Sequence, residues 1–161
     1  MGLYTGMGYR DDDVSIGAPD VVSVRRRQKA SASAPAVAPP IERWLDAAVE
    51  REDILYFSIY HVGALGGQIF LHDIDETAGA SLVGYHLFEA GDRGKGIGTT
   101  ALRLFQRFVV EETRLVRLIA ITSADNAASR RIAEKCRFIH TWAPLEDPTG
   151  VLMEWQVPRD R

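Results

Sequence analysis

The chain has 161 residues and 17.8 kDa, the length of one domain, and its 46% hydrophobic and 25% charged fractions are those of an ordinary globular protein. One cysteine, Cys136, excludes an internal disulfide and a thiolate metal site, and His61, His72, His86 and His140 show no metal-ligand spacing, so no metal is expected. With no apolar run near the ~20 residues of a membrane span, no leader segment and a net charge of -3, the expectation is a cytoplasmic protein without membrane or nucleic-acid partners, suited to a cationic small substrate.

Residues 1–20 carry glycines, the acidic triplet Asp11-Asp12-Asp13 and no periodicity, and read as a poorly ordered arm or a segment left by expression. The domain proper is assigned to residues 21–161. The β-branched run Val21, Val22 and Val24 predicts a first strand, and Arg25-Arg26-Arg27 after it is either a solvated strand end or an anion site. Residues 28–40 are almost entirely Ala, Ser and Pro and predict a flexible connection. From Pro40, Ile41, Trp44, Leu45, Ala48 and Val49 fall at helical spacing and predict a helix over 40–50.

Residues 54–62, 68–74 and 82–89 read as three strands joined by short turns, which predicts an antiparallel meander. Then the pattern changes. The glycine-rich stretch 89–98 runs into a helix striped by Ile97, Ala101, Leu104, Phe105 and Phe108. Residues 116–122 form a near-continuous apolar strand, Asp125-Asn126 opens a second helix to about Lys135, and 138–142 and 151–157 close the chain as two strands.

A glycine-rich turn feeding a helix start leaves several backbone N–H groups without intrahelical partners, all aimed at one point, and the helix dipole adds about half a positive charge there. Such a turn binds a phosphate or pyrophosphate, with Arg93 and Lys95 adding charge and Gly94, Gly96 and Gly98 allowing close approach; a tight turn without a ligand has the same composition. The loop is neither GxxxxGK[ST] nor a dinucleotide-type GxGxxG.

Arg93-Gly94-Lys95-Gly96-Ile97-Gly98 resembles the R/Q-x-x-G-x-G/A cofactor loop of the GNAT N-acetyltransferases. Asn126-Ala127-Ala128-Ser129, continuing to Ala133-Glu134-Lys135-Cys136-Arg137-Phe138, resembles that family's second signature, N-x-x-S…A-E-K-x-G-F. Gly84-Tyr85 before the loop is similar to the ribosomal-protein-alanine acetyltransferase type. The resemblance covers about residues 54–157. It implies an α/β (α+β) single domain: a central, mostly antiparallel mixed sheet splayed between its fourth and fifth strands (82–89 and 116–122), with helices on both faces.

It also implies acetyl-coenzyme A as co-substrate. The N–H groups of Arg93, Gly94, Lys95, Gly96, Ile97, Gly98 and Thr99 would hold the pyrophosphate, and the backbone near Leu87, Phe88 and Glu89 would pair with the pantetheine arm. Asn126 would bond the pantetheine or cap its helix. Ser129 belongs to the same site, and Arg130, Arg131 and Lys135 are either nucleotide contacts or a solvated helix face. A backbone N–H at Leu87 or Phe88 would polarise the thioester carbonyl.

The reaction implied is direct attack by a primary amine: a protein N-terminus first, a polyamine or aminoglycoside next. Here the chain departs from the family pattern, because the usual strand glutamate falls on Leu82 and the helix tyrosine on Ala133. His86, on the same strand face as Leu82, is the candidate base, with Glu89, Asp73 and Asp75 as carboxylates acting through water; Ser129 is the candidate acid. Two other readings stay open, a coenzyme A-binding module that has lost catalysis and a domain tethered through Arg25–Arg27; a homodimer is compatible with all of them.

Overall fold

The structure is a computed structural model, and it describes residues 2–32, 42–141 and 145–160. Three short strands open the chain: β1 (Gly2–Leu3), β2 (Tyr9–Asp11) and β3 (Val14–Gly17). They correct the reading of residues 1–20 as an arm. β3 pairs antiparallel with β4 (Leu55–His61) from Val14↔His61 to Gly17↔Ser58, and β1 pairs parallel with the other half of β4. Tyr4, Val14 and Ile16 are buried in the main core, and the Tyr4 ring stacks on Phe57 at 4.0 Å.

The second correction follows directly. Residues 21–24 lie in a helix, α1 (Val21–Ala32), because Asp20 caps it: its carboxylate accepts from Val22 N at 3.1 Å and Ser23 N at 3.3 Å. Val24 and Gln28, one turn apart, are the buried face of α1. Helix therefore also replaces the first part of the connection expected over 28–40; residues 33–40 lie outside the described residues.

α2 (Glu42–Glu50) matches the helix expected there, buries Leu45 and Ala48, and is tied to α1 by Arg25 and Asp46 at 2.6 Å. β4, β5 (Ala64–Asp75) and β6 (Ala80–Leu87) form the expected meander. Then come α3 (Ile97–Glu112), β7 (Arg117–Ser123), α4 (Ala127–Lys135), β8 (Ile139–Thr141) and β9 (Gly150–Gln156). The sheet runs in the order β2-β3-β4-β5-β6-β7-β9-β8.

Two apolar clusters show the layers. Val83, with Tyr85 and Leu87 packed alongside, joins α3 residues such as Leu102 and Phe105 on one face, while Tyr56 and Phe70 join Val24 and Leu45 from α1 and α2 on the other. Helices thus cover both faces of a mixed sheet, as expected.

The feature that positions the site lies between β6 and β7. These parallel neighbours pair only at Ala80↔Arg117, Ser81↔Leu118 and Leu82↔Ile119. Beyond that vertex β6 continues to Leu87 and β7 to Ser123, and β7 pairs there with β9 alone. The splay expected between the fourth and fifth strands is present; the two are sixth and seventh because of the strands at the start of the chain.

Candidate active site

Strand alternation decides which backbone groups face the opening. Phe88 N donates to Gly66 O at 2.9 Å, so Phe88 and every second residue before it turn their N–H towards β5. Tyr85 and Leu87 accordingly turn theirs towards the gap. Of the two expected backbone donors, Leu87 turns its N–H to the gap. Phe88 does not: its N–H is engaged and its side chain is buried beneath α1 and α2.

A 3₁₀ turn at Ala90–Asp92 carries the chain from β6 to the glycines, and Arg93 N closes it on Ala90 O at 3.2 Å. The Arg93 N–H is therefore also engaged, and the open amides begin after it. Gly94 and Gly96 have φ of 78° and 79°, the left-handed region that glycine adopts without strain. A Cβ at either would meet nothing within 4 Å, so the backbone there is open to a ligand. The first helical bond of α3 runs from Thr100 N to Gly96 O at 3.0 Å, which leaves the N–H groups of Ile97, Gly98 and Thr99 without helical acceptors. At Gly98 a Cβ would lie 2.8 Å from Ile132 Cδ1; this glycine lets α4 close on the start of α3.

These elements enclose a cavity of about 300 Å³ lined by Tyr85, His86, Leu87, Arg93, Gly94, Gly96, Ile97, Gly98, Thr99, Asn126, Ser129, Arg131 and Lys135, among others. Most of the expected cofactor residues meet there. Lys95 is exposed beside Asp92 at 3.9 Å, outside that lining. Asn126 takes the helix-cap role, its side chain accepting from Ser129 N at 3.0 Å. Arg130 Nη1 donates to Ala124 O at 3.2 Å, so its guanidinium braces the turn before α4.

The catalytic candidates separate by geometry. His86 lines the cavity, its Nε2 is buried without a hydrogen-bond partner, and burial, with a smaller push from the Arg93 charge, holds its pKa below the ordinary value. The imidazole is therefore neutral near pH 7 and able to accept a proton. Register extends this polar position across the sheet: Ser58 lies opposite Gln68 and Gln68 opposite His86, and Ser58 Oγ and Gln68 Nε2 are also buried without partners.

Glu89 is held by the Arg27 guanidinium at 3.0 Å, so one member of the basic cluster reaches the rim of the site from α1. Asp73 and Asp75 lie at the far end of the sheet. Asp75 pairs with Ala80 at the closed end of β6, and seven residues of strand put it roughly 23 Å from Leu87. They belong to a separate acidic cleft with Glu52, Asp53 and Glu76, which removes them as bases.

Tyr85, which the sequence marks through the Gly84-Tyr85 pair, stands beside Ser129 in the site. The Tyr85 hydroxyl donates to Ser129 O at 2.9 Å and receives the Ser129 Oγ hydroxyl at 3.2 Å, across 44 residues of sequence. Its signals in the sequence are the Gly84-Tyr85 pair and alternation, which turns Tyr85 and His86 to opposite faces of β6. Cys136 is buried and its thiol is pushed up to about 11, mainly by burial, as expected for a small apolar filler. Among the described residues no cluster of His, Cys, Asp and Glu could hold a metal ion, and no helix is long and apolar enough to cross a membrane.

A splayed pair of parallel strands with a glycine-lined helix start at its mouth turns an unpaired strand edge and acceptor-free N–H groups to one cavity, as the resemblance implies. Comparison with known proteins agrees. The family model for the acetyltransferase (GNAT) domain matches residues 11–139, and the chain belongs to that family. A Bacillus subtilis (strain 168) protein with the provisional name ribosomal N-acetyltransferase YdaF is 32% identical over 77 residues; the match covers 48% of this chain and 42% of that protein, so it spans less than half of that relative.

Among solved structures, the ribosomal L7/L12 alpha-N-protein acetyltransferase RimL in complex with coenzyme A superposes with a TM-score of 0.76 at 15% identity, covering 94% of this chain and 98% of that one. A spermidine N-acetyltransferase chimera from Vibrio cholerae does so with 0.73 at 12% identity, covering 90% and 96%. At these identities the superpositions speak for the fold.

Proposed function

We propose that the chain is an acetyl-CoA-dependent N-acetyltransferase acting on a primary amine, with a protein N-terminus as the first acceptor class and a small polyamine as the second. The observation that carries the reading is the coincidence of two backbone features at one cavity: the acceptor-free N–H groups of Ile97, Gly98 and Thr99, and the unpaired edge of β6 that ends at Leu87. The first suits a diphosphate and the second an extended amide-bearing arm, the two parts of coenzyme A. The open positions at Gly94 and Gly96 fit the same group.

Bound there, acetyl-coenzyme A supplies an activated acetyl group. Leu87 N–H faces the gap as the donor for its carbonyl oxygen. His86 takes a proton from the incoming amine, directly or through water, its neutral form being maintained by burial. Arg93, Arg131 and Lys135 line the cavity as cations for the nucleotide end. Acceptor preference follows the names of relatives, which include both a ribosomal-protein and a spermidine acetyltransferase.

The test uses the full chain. Coenzyme A raises its melting temperature, and free thiol is released from acetyl-coenzyme A when peptides with free N-termini or polyamines are added. Stabilisation by coenzyme A without thiol release for any amine would leave a binding module instead. No stabilisation would end the reading.

A further inference from the structure

Resting on the acetyltransferase reading, we propose that Tyr85 acts as the proton reservoir behind Ser129, the two hydroxyls together supplying the proton taken up by the departing sulfur of coenzyme A. The geometry is already assembled. Both residues line the cavity, Ser129 Oγ and the Tyr85 hydroxyl are 3.2 Å apart, and the phenol reaches α4 from β6. The helix position where many relatives carry a tyrosine is Ala133, which is 1% exposed and has no proton to give.

Acidity explains why serine needs a partner. A thiol has a reference pKa near ~8.5 and an aliphatic hydroxyl is about as weak an acid as water, near ~15.7. Ser129 alone would donate uphill by roughly seven pKa units, whereas a phenol, near ~10, is within reach of a thiolate. Burial raises the Tyr85 value, opposed by the bond to Ser129, so the phenol carries its proton at neutral pH.

In the resting arrangement Ser129 donates to Tyr85 and Tyr85 to the Ser129 carbonyl; turning both O–H rotors aims the pair outward without moving a heavy atom. The amine nitrogen then bonds the acetyl carbon while the carbon–sulfur bond breaks and sulfur keeps the electron pair. Ser129 gives its proton to sulfur and takes that of Tyr85, the phenolate recovers one from solvent, and the amine's proton leaves by way of the base.

Tyr85→Phe removes only the hydroxyl and keeps the ring against the core. Coenzyme A bound to this variant should ionise at a pH higher by about one unit than on the parent chain, followed by thiolate absorbance in the ultraviolet, since Ser129, which holds the charged form, loses the hydroxyl behind it. In turnover, kcat should fall about 10- to 100-fold with the KM for acetyl-coenzyme A within twofold.

Ser129→Ala should give the same thiol shift, and supplies the measurement should Tyr85→Phe not fold. The double variant should lose no more than either single one, because the two act as a unit. An unshifted thiol titration with normal coenzyme A binding, or losses that multiply, overturns the relay alone. A parent chain that binds no coenzyme A overturns it together with the acetyltransferase reading.

Discussion

His86 shows how a side chain acquires a role from its surroundings. Nothing in its neighbours along the chain distinguishes it; the fold gives it a buried, unpartnered Nε2 and a pKa held below 6.5 by burial. In the proposed role as base the active form is the neutral one, so kcat/KM should rise with pH through that lowered value and level off above it. His86→Gln should lower kcat/KM by about 100-fold or more and abolish this acidic limb, with the dissociation constant of coenzyme A unchanged. An acidic limb that survives the substitution would take the base role from His86. The same lowering bears on stability: the unfolded chain binds a proton near ~6.5 that the folded site refuses, so His86 and the similarly lowered His72 each favour unfolding as pH falls below that value.

At the scale of single elements, the end of α4 shows a departure from family pattern absorbed by the backbone. Arg137 stands where relatives place glycine, yet it keeps φ at 68°, and the turn closes with Phe138 N donating to Ala133 O at 2.9 Å and Arg137 N to Glu134 O at 3.0 Å. The left-handed conformation costs a non-glycine residue about 1–2 kcal/mol. Arg137→Gly should therefore stabilise the chain by about 1 kcal/mol and raise Tm by roughly 2–4 °C in thermal unfolding, with coenzyme A binding unaltered. Apart from the three-residue β8, the helices and strands from α2 to β9 were legible because their apolar spacing is long and regular. Residues 21–24 were not: β-branched valines outweighed Asp20, the capping residue whose side chain decides the matter. The glycine loop could be placed from sequence, but Arg93 and Phe88 could not be removed from its set of open amides, because their acceptors, Ala90 O and Gly66 O, are products of the folded turn and ladder. The pairing of Tyr85 with Ser129 was hidden for a similar reason, the two lying 44 residues apart.

For the molecule as a whole, the opening strands are structural. Gly2–Leu3, Tyr9–Asp11 and Val14–Gly17 are too short to show alternation, and their stability comes from pairing along β4 and from burying Tyr4, Val14 and Ile16. At about 1.5–3 kcal/mol for each large apolar side chain, the loss approaches the 5–15 kcal/mol that holds a domain together. Removing residues 2–17 should leave a chain without a cooperative thermal transition by circular dichroism; a truncated chain that melts like the parent would return the segment to the status of an arm. The three-rung contact between β6 and β7 has a consequence for behaviour in concentrated solution. An open strand edge in mid-sheet is adhesive towards any extended polypeptide, a second molecule of the same kind included. In the acetyltransferase reading the amide-bearing arm of the guest covers that seam, so resistance to clumping would follow how much of the thioester is at hand.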